Sequence, residues 1–245
     1  MKITVVIPVY NERLTIEEVL RRVQAAPIDK NIIIVDDAST DGTREIVRQF
    51  DQENIRILLH PENRGKGASL RTGFAHVDGD IVIIQDGDLE YQPDDYEKLI
   101  APIVDEQALA VYGSRFLGDI ENMQILNRIA NIWLTWLTNI LFGTRITDAC
   151  TCYKVFRRDV VAQMDLSTNG FEICHELTAE VVRLNYCIKE VPIRYSARKG
   201  TAGKKVRWTQ FFKSTWALLY LKWQYAQVGA QLRYLVTARK RRRHR

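Results

Sequence analysis

Asp86 and Asp88 are separated by one glycine and follow the apolar run Ile83-Ile84. Alternate residues of an extended chain point the same way, so the two carboxylates can reach one point. Two acids held that close repel unless a cation lies between them. Hard divalent ions such as Mg2+ or Mn2+ take oxygen ligands and typically bridge to substrate phosphates. Glu90, two residues further on, could add a ligand directly or through water. Taken alone, Asp-Gly is also ordinary turn chemistry. The strand-like run that leads into the triplet favours the metal reading.

Two more strand-like runs end in polar groups. In Ile7-Pro8-Val9-Tyr10-Asn11-Glu12, Pro8 lacks an N–H and suits a place where a ladder stops. Tyr10 could stack on a flat ring, and Glu12 could accept from a ribose hydroxyl or a base. Equally, Asn11 or Glu12 could simply open the next helix. The run Ile32–Asp36 continues into Asp37-Ala38-Ser39-Thr40-Asp41-Gly42, where one carboxylate can accept from a base N–H and Asp41-Gly42 turns into a helix. These three ends place five carboxylates and an aromatic on one edge.

The elements that must hold them follow from periodicity. Apolar, β-branched runs at Ile3–Val9, Ile32–Asp36, Ile55–Leu59, Ile81–Gln85 and Ala108–Gly113 read as strands buried on both faces. Helix-period segments alternate with them at Leu14–Ala25, Thr43–Phe50, Lys66–His76 and Tyr96–Asp105. That alternation predicts βαβ units and a mostly parallel sheet, whose ligands bind beyond the carboxyl ends of the strands. After Gly113 the pattern predicts a long helix (Asn122–Phe142), a strand (Thr151–Phe156), a helix (Glu172–Asn185) and a strand (Cys187–Arg194). Ser196–Lys205 reads as a mobile loop, Val206–Val236 as an amphipathic helix and Arg239–Arg245 as a basic disordered tail.

Other chemistries lack their residues. No GxGxxG follows the first strand and no GxxxxGK[ST] occurs, against dinucleotide and ATPase folds. The four histidines (His60, His76, His175 and His244) sit in no catalytic pattern and read as packing or surface residues. The four cysteines have no metal-ligand spacing and read as free thiols. Met1-Lys2 runs straight into Ile3–Val9 without the layout of a secretory leader.

Charge is divided along the chain. Residues 196–245 hold 14 of the 35 Lys and Arg and none of the 30 acids, so an acidic body carries a segment that seeks anions. No run reaches the roughly 20 apolar residues of a spanning helix. Ile132–Phe142 is broken by Thr135, Thr138 and Asn139, and Ser214–Leu221 is bounded by lysines, so either could lie on a membrane instead. Trp208, Phe211, Phe212, Thr215, Leu219, Trp223 and Ala226 form one helical stripe, with Lys213, Lys222 and Arg233 at its borders. The same stripe would also serve to pack on the body or on a second subunit.

The ordered segments VVIPVYNE, IIIVDDASTDGT, NRGKGASLRTGF, QDGDLEYQPDD and VYGSRF resemble the inverting family-2 glycosyltransferases, whose fold is the A-type, nucleotide-sugar Rossmann-like α/β sheet. Among these the chain is most similar to dolichol-phosphate mannose synthases and their polyprenyl-phosphate relatives. TDACTCYKVFRR and VPIRYSARKGTAGKK extend the resemblance over residues 1–205. The resemblance implies donor binding by Pro8, Tyr10, Glu12, Val35, Asp37, Asp86, Gly87, Asp88, Arg115, Arg198 and Lys204. It implies Mg2+ or Mn2+ on Asp86 and Asp88, with Glu90 as a further ligand, and catalytic roles for Asp88, Arg115 and Arg198. Arg115 matches a substrate-phosphate arginine, and Arg198 and Lys204 match a pair that closes on the donor diphosphate. Two departures stand out. The family's usual DADLQ is here Asp86-Gly-Asp-Leu-Glu90, and the stretch after Arg115 is short, leaving Asn127 and Arg128 as candidates for the acceptor phosphate.

These readings predict a catalytic domain over 1–205, a membrane-interface or packing helix over 206–236 and a tail over 237–245. The expected reaction moves a hexose from GDP-mannose or a UDP-hexose to a polyprenyl phosphate, on the cytoplasmic face of a membrane. A saccharide, protein or small-molecule acceptor is the alternative, and nucleotide-sugar binding without catalysis is a third. Nucleic-acid binding through the tail would leave the carboxylate-lined edge unexplained.

Overall fold

The computed structural model describes residues 1–198 and 211–225. Seven strands form the main sheet: β1 (Ile3–Val9), β2 (Lys30–Asp36), β3 (Ile55–Leu59), β4 (Ile81–Ile84), β5 (Ala110–Ser114), β7 (Lys154–Arg157) and β8 (Ile188–Pro192). Their order is β3-β2-β1-β4-β7-β5-β8. Only β7 runs antiparallel to its neighbours. A second small sheet pairs β6 (Ile120–Glu121) with β9 (Tyr195–Ser196) in parallel.

The helices are α1 (Ile16–Ala25), α2 (Thr43–Arg48), α3 (Lys66–Phe74), α4 (Tyr96–Val104), α5 (Ile125–Phe142), α6 (Arg158–Ala162) and α7 (Ile173–Arg183). Every residue of β1 and β4 is buried, as continuous apolar strands require when both faces are covered. α1 shows how the covering works. Ile16, Val19, Leu20 and Val23 recur at helical spacing and are all buried. Each such side chain contributes about 1.5–3 kcal/mol. Its outer face carries the Glu17–Arg21 and Glu18–Arg22 pairs.

The strand order locates the site. The chain runs from β1 outward through β2 and β3, then returns to place β4 on the other side of β1. That reversal opens a crevice beyond the carboxyl ends of β1 and β4, where ligands bind in such sheets. Glu12 follows β1, and Asp86 and Asp88 follow β4. Because β7 is antiparallel, its amino end, preceded by Cys152 and Tyr153, enters at the same edge.

The expected boundaries shift where side chains have other work. The strand expected from Thr151 begins only at Lys154, because the Cys152 N–H donates to the Tyr91 hydroxyl and Lys154 Nζ donates to the carbonyls of Ala149 and Thr151. The helix expected from Asn122 begins at Ile125, since Asn122 has a φ of 57°. Residues 211–225 are helical. Lys204, Trp208, Ala226, Arg233 and the 239–245 tail lie outside the described residues.

Candidate functional site

The two acids of the Asp-Gly-Asp triplet have different partners. Asp86 Oδ1 accepts from Lys66 Nζ at 2.5 Å, and Nζ also lies 3.7 Å from the Cys152 thiol. Burial opposes charge on Lys66, but Asp86 beside it more than compensates and holds its pKa well above the usual lysine value. The Cys152 thiol is pushed up by burial and by Asp86, so it stays protonated. Gly87 lets the chain pass close to β1: a Cβ there would stand 3.1 Å from Val9 Cγ2.

Asp88 is 2% exposed, and its Oδ2 lies 3.3 Å from Arg198 Nη2. The same nitrogen is 2.6 Å from both oxygens of Glu12. Glu12 is braced by Thr15, whose hydroxyl lies within hydrogen-bond reach of a Glu12 carboxylate oxygen and the Gly87 carbonyl. Glu90 accepts from the Tyr195 hydroxyl at 2.9 Å and from the Arg198 N–H at 3.4 Å. The small sheet makes this possible: β9 lies alongside Glu90 and Tyr91, with the Ser196 N–H donating to the Glu90 carbonyl.

The three carboxylates expected to share one metal ion each have a protein partner here. Among the described residues, no three His, Cys, Asp or Glu groups are placed to hold a metal ion. Asp86 pairs with Lys66, and Glu90 accepts from Tyr195. What does converge is Glu12 and Asp88, on the Arg198 guanidinium. These are hard oxygen donors that already hold a cation, which fits an ion bound by one or two carboxylates and completed by substrate phosphate oxygens.

At the second strand end both acids are engaged with protein. Asp37 is 2% exposed, and its carboxylate accepts from the backbone N–H of Arg64 and Gly65 and meets His60 Nδ1 at 2.7 Å. It shapes the turn into α3. Gly65 is required there, with φ at 92° and a Cβ that would meet the Asn169 carbonyl at 2.4 Å. Asp36 takes Arg44 at 2.6 Å, and Val35 is buried in the core. Tyr10 is 46% exposed at the lip of the crevice, and Pro8 is the next-to-last residue of β1. Asn11 and Ala38, with φ of 53° and 60°, hold backbone conformations uncommon for non-glycine residues, beside the site.

Arg115, expected on a substrate phosphate, is 5% exposed and engaged with protein. Its Nε and Nη2 form a fork with Asp148 at 2.7 and 2.8 Å, and its guanidinium lies 5.1 Å from the Tyr195 ring. Burial opposes its charge; Asp148 overcomes that and raises its pKa. Arg115 thus supports Tyr195, and through it Glu90. Asn127 is half-buried and Arg128 exposed on α5, beside the exposed Ile125, Leu126 and Ile129.

Sequence reasoning missed Lys66, Thr15, Asp148 and Tyr195. Lys66 had a visible signal, a lysine between two glycines at a helix start. The others are recognisable only once distant segments meet. None of the described histidines touches the acid cluster: His60 bridges Asp37 and Thr72, His76 bonds the Thr72 carbonyl, and His175 is buried.

Residues 4–164 match the family described as Glycosyl transferase family 2. The chain belongs to glycosyl transferase family 2. This family 2 enzyme is 31% identical to the UDP-N-acetylglucosamine–dolichyl-phosphate N-acetylglucosaminyltransferase of Methanococcus voltae, over 81% of this chain and 89% of that one. It is 27% identical to the polyprenol monophosphomannose synthase of Mycolicibacterium smegmatis, over 87% and 86% of the two chains. Its fold matches glucosyl-3-phosphoglycerate synthase from Mycobacterium tuberculosis in complex with Mn2+, uridine diphosphate and glucosyl-3-phosphoglycerate, with a TM-score of 0.68 and 19% identity over 90% of this chain and 79% of that one. The glycosyltransferase therefore has the A-type fold expected from its motifs.

Proposed function

We propose that this glycosyltransferase moves a hexose from a nucleotide-diphosphate sugar to a polyprenyl phosphate at a membrane surface, with inversion at the anomeric carbon. The observation that carries the lipid acceptor is the orientation of α5. The polar residues of its middle and end face the protein: the Thr135 hydroxyl accepts from the Ala149 N–H, Thr138 bonds back to the Leu134 carbonyl, and Asn139 holds Ile146. Leu134 packs inward with them, but most of the helix's apolar residues face out. Ile125, Leu126, Ile129, Ile132, Trp136 and Ile140 are each at least 50% exposed. An outward apolar face of this size marks an interaction surface.

The helical residues 211–225 extend that face. Ser214, Leu218 and Leu221 turn inward, and Phe211 meets Trp133 at 5.2 Å between ring centroids. Phe212, Trp216, Tyr220 and Trp223 are exposed. The helix thus packs on the body with one face and presents aromatics with the other, a composition that favours the bilayer interface. Among the described residues no helix is long and apolar enough to cross a membrane. The cations of residues 196–245 complement an anionic membrane, at about 1 kcal/mol each near its surface. The lipid face and the acid cluster are linked: Thr135 holds Ala149, next to the Asp148–Arg115–Tyr195–Glu90 chain of contacts.

The donor diphosphate belongs in the crevice beyond β1 and β4, with the base toward Tyr10. Asp88 and Glu12 would hold Mg2+ or Mn2+, which when bound stabilises negative charge on the departing diphosphate. Arg198 is placed to pair with the same diphosphate, and Lys204 is proposed to join it. Asp37 serves by fixing the 60–65 turn that borders the base. Arg128 and Asn127 are the proposed acceptor-phosphate contacts. A phosphate monoester has a second pKa near 6 and arrives largely as a dianion, so it needs positioning and no histidine base.

The reading is tested by incubating the protein with Mn2+, polyprenyl phosphate and a panel of labelled UDP- and GDP-sugars. Butanol-extractable label that disappears in Asp88→Ala is expected. Extraction of none with any common donor would refute it.

A further inference from the structure

Arg198 stands where the donor's charge would be handled. Its Nη2 touches both Glu12 oxygens at 2.6 Å and Asp88 Oδ2 at 3.3 Å, while its backbone N–H reaches Glu90 Oε1 at 3.4 Å. The approach is built into the sheet, since β9 pairs with β6 just before it and the Ala197 N–H donates to the Glu121 carbonyl at 2.9 Å. Yet the arrangement is incomplete. Nε is buried and makes no hydrogen bond, a shortfall that costs about 1–3 kcal/mol. The side chain is held by charge, in a position that leaves one donor unused.

We propose that Arg198 is a resident counter-cation of Glu12 and Asp88, displaced by a divalent ion that arrives with a nucleoside diphosphate, so that metal and donor bind as a coupled pair. This rests on the donor-site reading above and adds a regulation to it. A guanidinium already on Asp88 competes with a free ion for both place and charge. A diphosphate changes that balance on both sides. It offers the guanidinium a bidentate acceptor that also satisfies Nε, and it supplies oxygens that complete the coordination of the ion. Free metal is thereby kept off the acids until a donor is present. Lys66 plays no such part, because its partner Asp86 is a separate acid with its own cation.

Removing Arg198 moves two affinities in opposite directions. Free metal binds more tightly, and nucleoside diphosphate more weakly. A role confined to holding the fold predicts no such opposition.

The test is Mn2+ binding by electron paramagnetic resonance on the full chain, for the unmodified protein, Arg198→Gln and Arg198→Lys, each alone and with UDP or GDP. In Arg198→Gln, free Mn2+ should bind roughly tenfold tighter, within the usual span of coupling between sites, and the gain in Mn2+ affinity on adding nucleoside diphosphate should shrink by a similar factor. Arg198→Lys keeps the charge, so its free Mn2+ affinity should stay within about threefold of the unmodified protein, while the gain on adding nucleoside diphosphate should still shrink because the bidentate fork is lost. Free Mn2+ affinity that is equal or weaker in Arg198→Gln overturns the proposal while leaving the donor-site reading standing. Mn2+ that fails to bind the unmodified protein even with UDP and GDP overturns both.

Discussion

Lys66 Nζ lies 2.5 Å from Asp86 Oδ1, which gives the first acid of the Asp-Gly-Asp triplet a cation of its own. The second acid, Asp88, meets Arg198 instead. Two residues that look equivalent in sequence thus sit in different electrostatic settings.

Asp86→Asn and Asp88→Asn should therefore differ. Asp88→Asn is expected to lower transfer on the order of 100-fold, the usual loss when one charge-stabilising group is removed. Asp86→Asn should cost about tenfold less than that. Lys66→Met should resemble Asp86→Asn, and the double variant should be no worse than either single change, because all three remove one interaction. Steady-state rates with a fixed donor measure this; additive losses would mean that Lys66 and Asp86 act separately.

Arg115 and Asp148 form a buried fork whose acid is 0% exposed. Breaking such a pair by removing one partner costs about 3–5 kcal/mol. Asp148→Ala should lower stability by that amount in urea denaturation. Arg115→Lys should shift the same unfolding midpoint. An unchanged midpoint with a raised donor or acceptor KM would return Arg115 to the substrate-phosphate role that the motif implied.

His175 is buried, and burial followed by the nearby Lys154 lowers its pKa from 6.5 to about 3. The unfolded chain takes up this proton below its ordinary pKa, whereas the folded chain does not. Stability is therefore full above about 6.5 and declines as pH falls from there toward 3, at about 1.4 kcal/mol per pH unit. Between pH 6.5 and 5 the expected loss is about 2 kcal/mol. His175→Leu should remove that part of the acid sensitivity. Urea midpoints at pH 7.5 and 5.0 for both proteins provide the comparison, and identical differences would contradict the assignment.

Ile129 and Trp136 are 58% and 55% exposed on α5. Ile129→Glu and Trp136→Glu touch little of the core and should leave stability within about 0.5 kcal/mol. Their binding to vesicles containing phosphatidylglycerol should fall severalfold in sedimentation. Retained binding by both would point to a protein partner for this face.

The strands were legible because β1, β2 and β4 are continuous apolar runs, and a parallel sheet buried on both faces demands them. Their alternation with helices put Glu12, Asp86 and Asp88 on one edge of the sheet, and the strand order of the fold makes that edge a crevice. What periodicity could not show was partner choice. Asp37 reads like a ligand-binding acid, and nothing local shows that it also anchors the 64–65 backbone and His60. Arg115 and Asp148 lie 33 residues apart, and nothing local announces their pairing. The threonines of α5 read as breaks in an apolar run; in the fold they share the inward face with Leu134, and most of the apolar residues form the outward one.

The most direct test of the central claim is acceptor competition in one reaction. The protein, Mn2+, and the best labelled nucleotide sugar are mixed with polyprenyl phosphate and an equal concentration of a soluble phosphomonoester in detergent micelles, and label is counted in butanol and water phases. The account predicts label in the butanol phase, lost in Asp88→Ala and reduced by chelation of the metal. Label carried mainly on the soluble phosphomonoester, with the lipid left untouched, would contradict it.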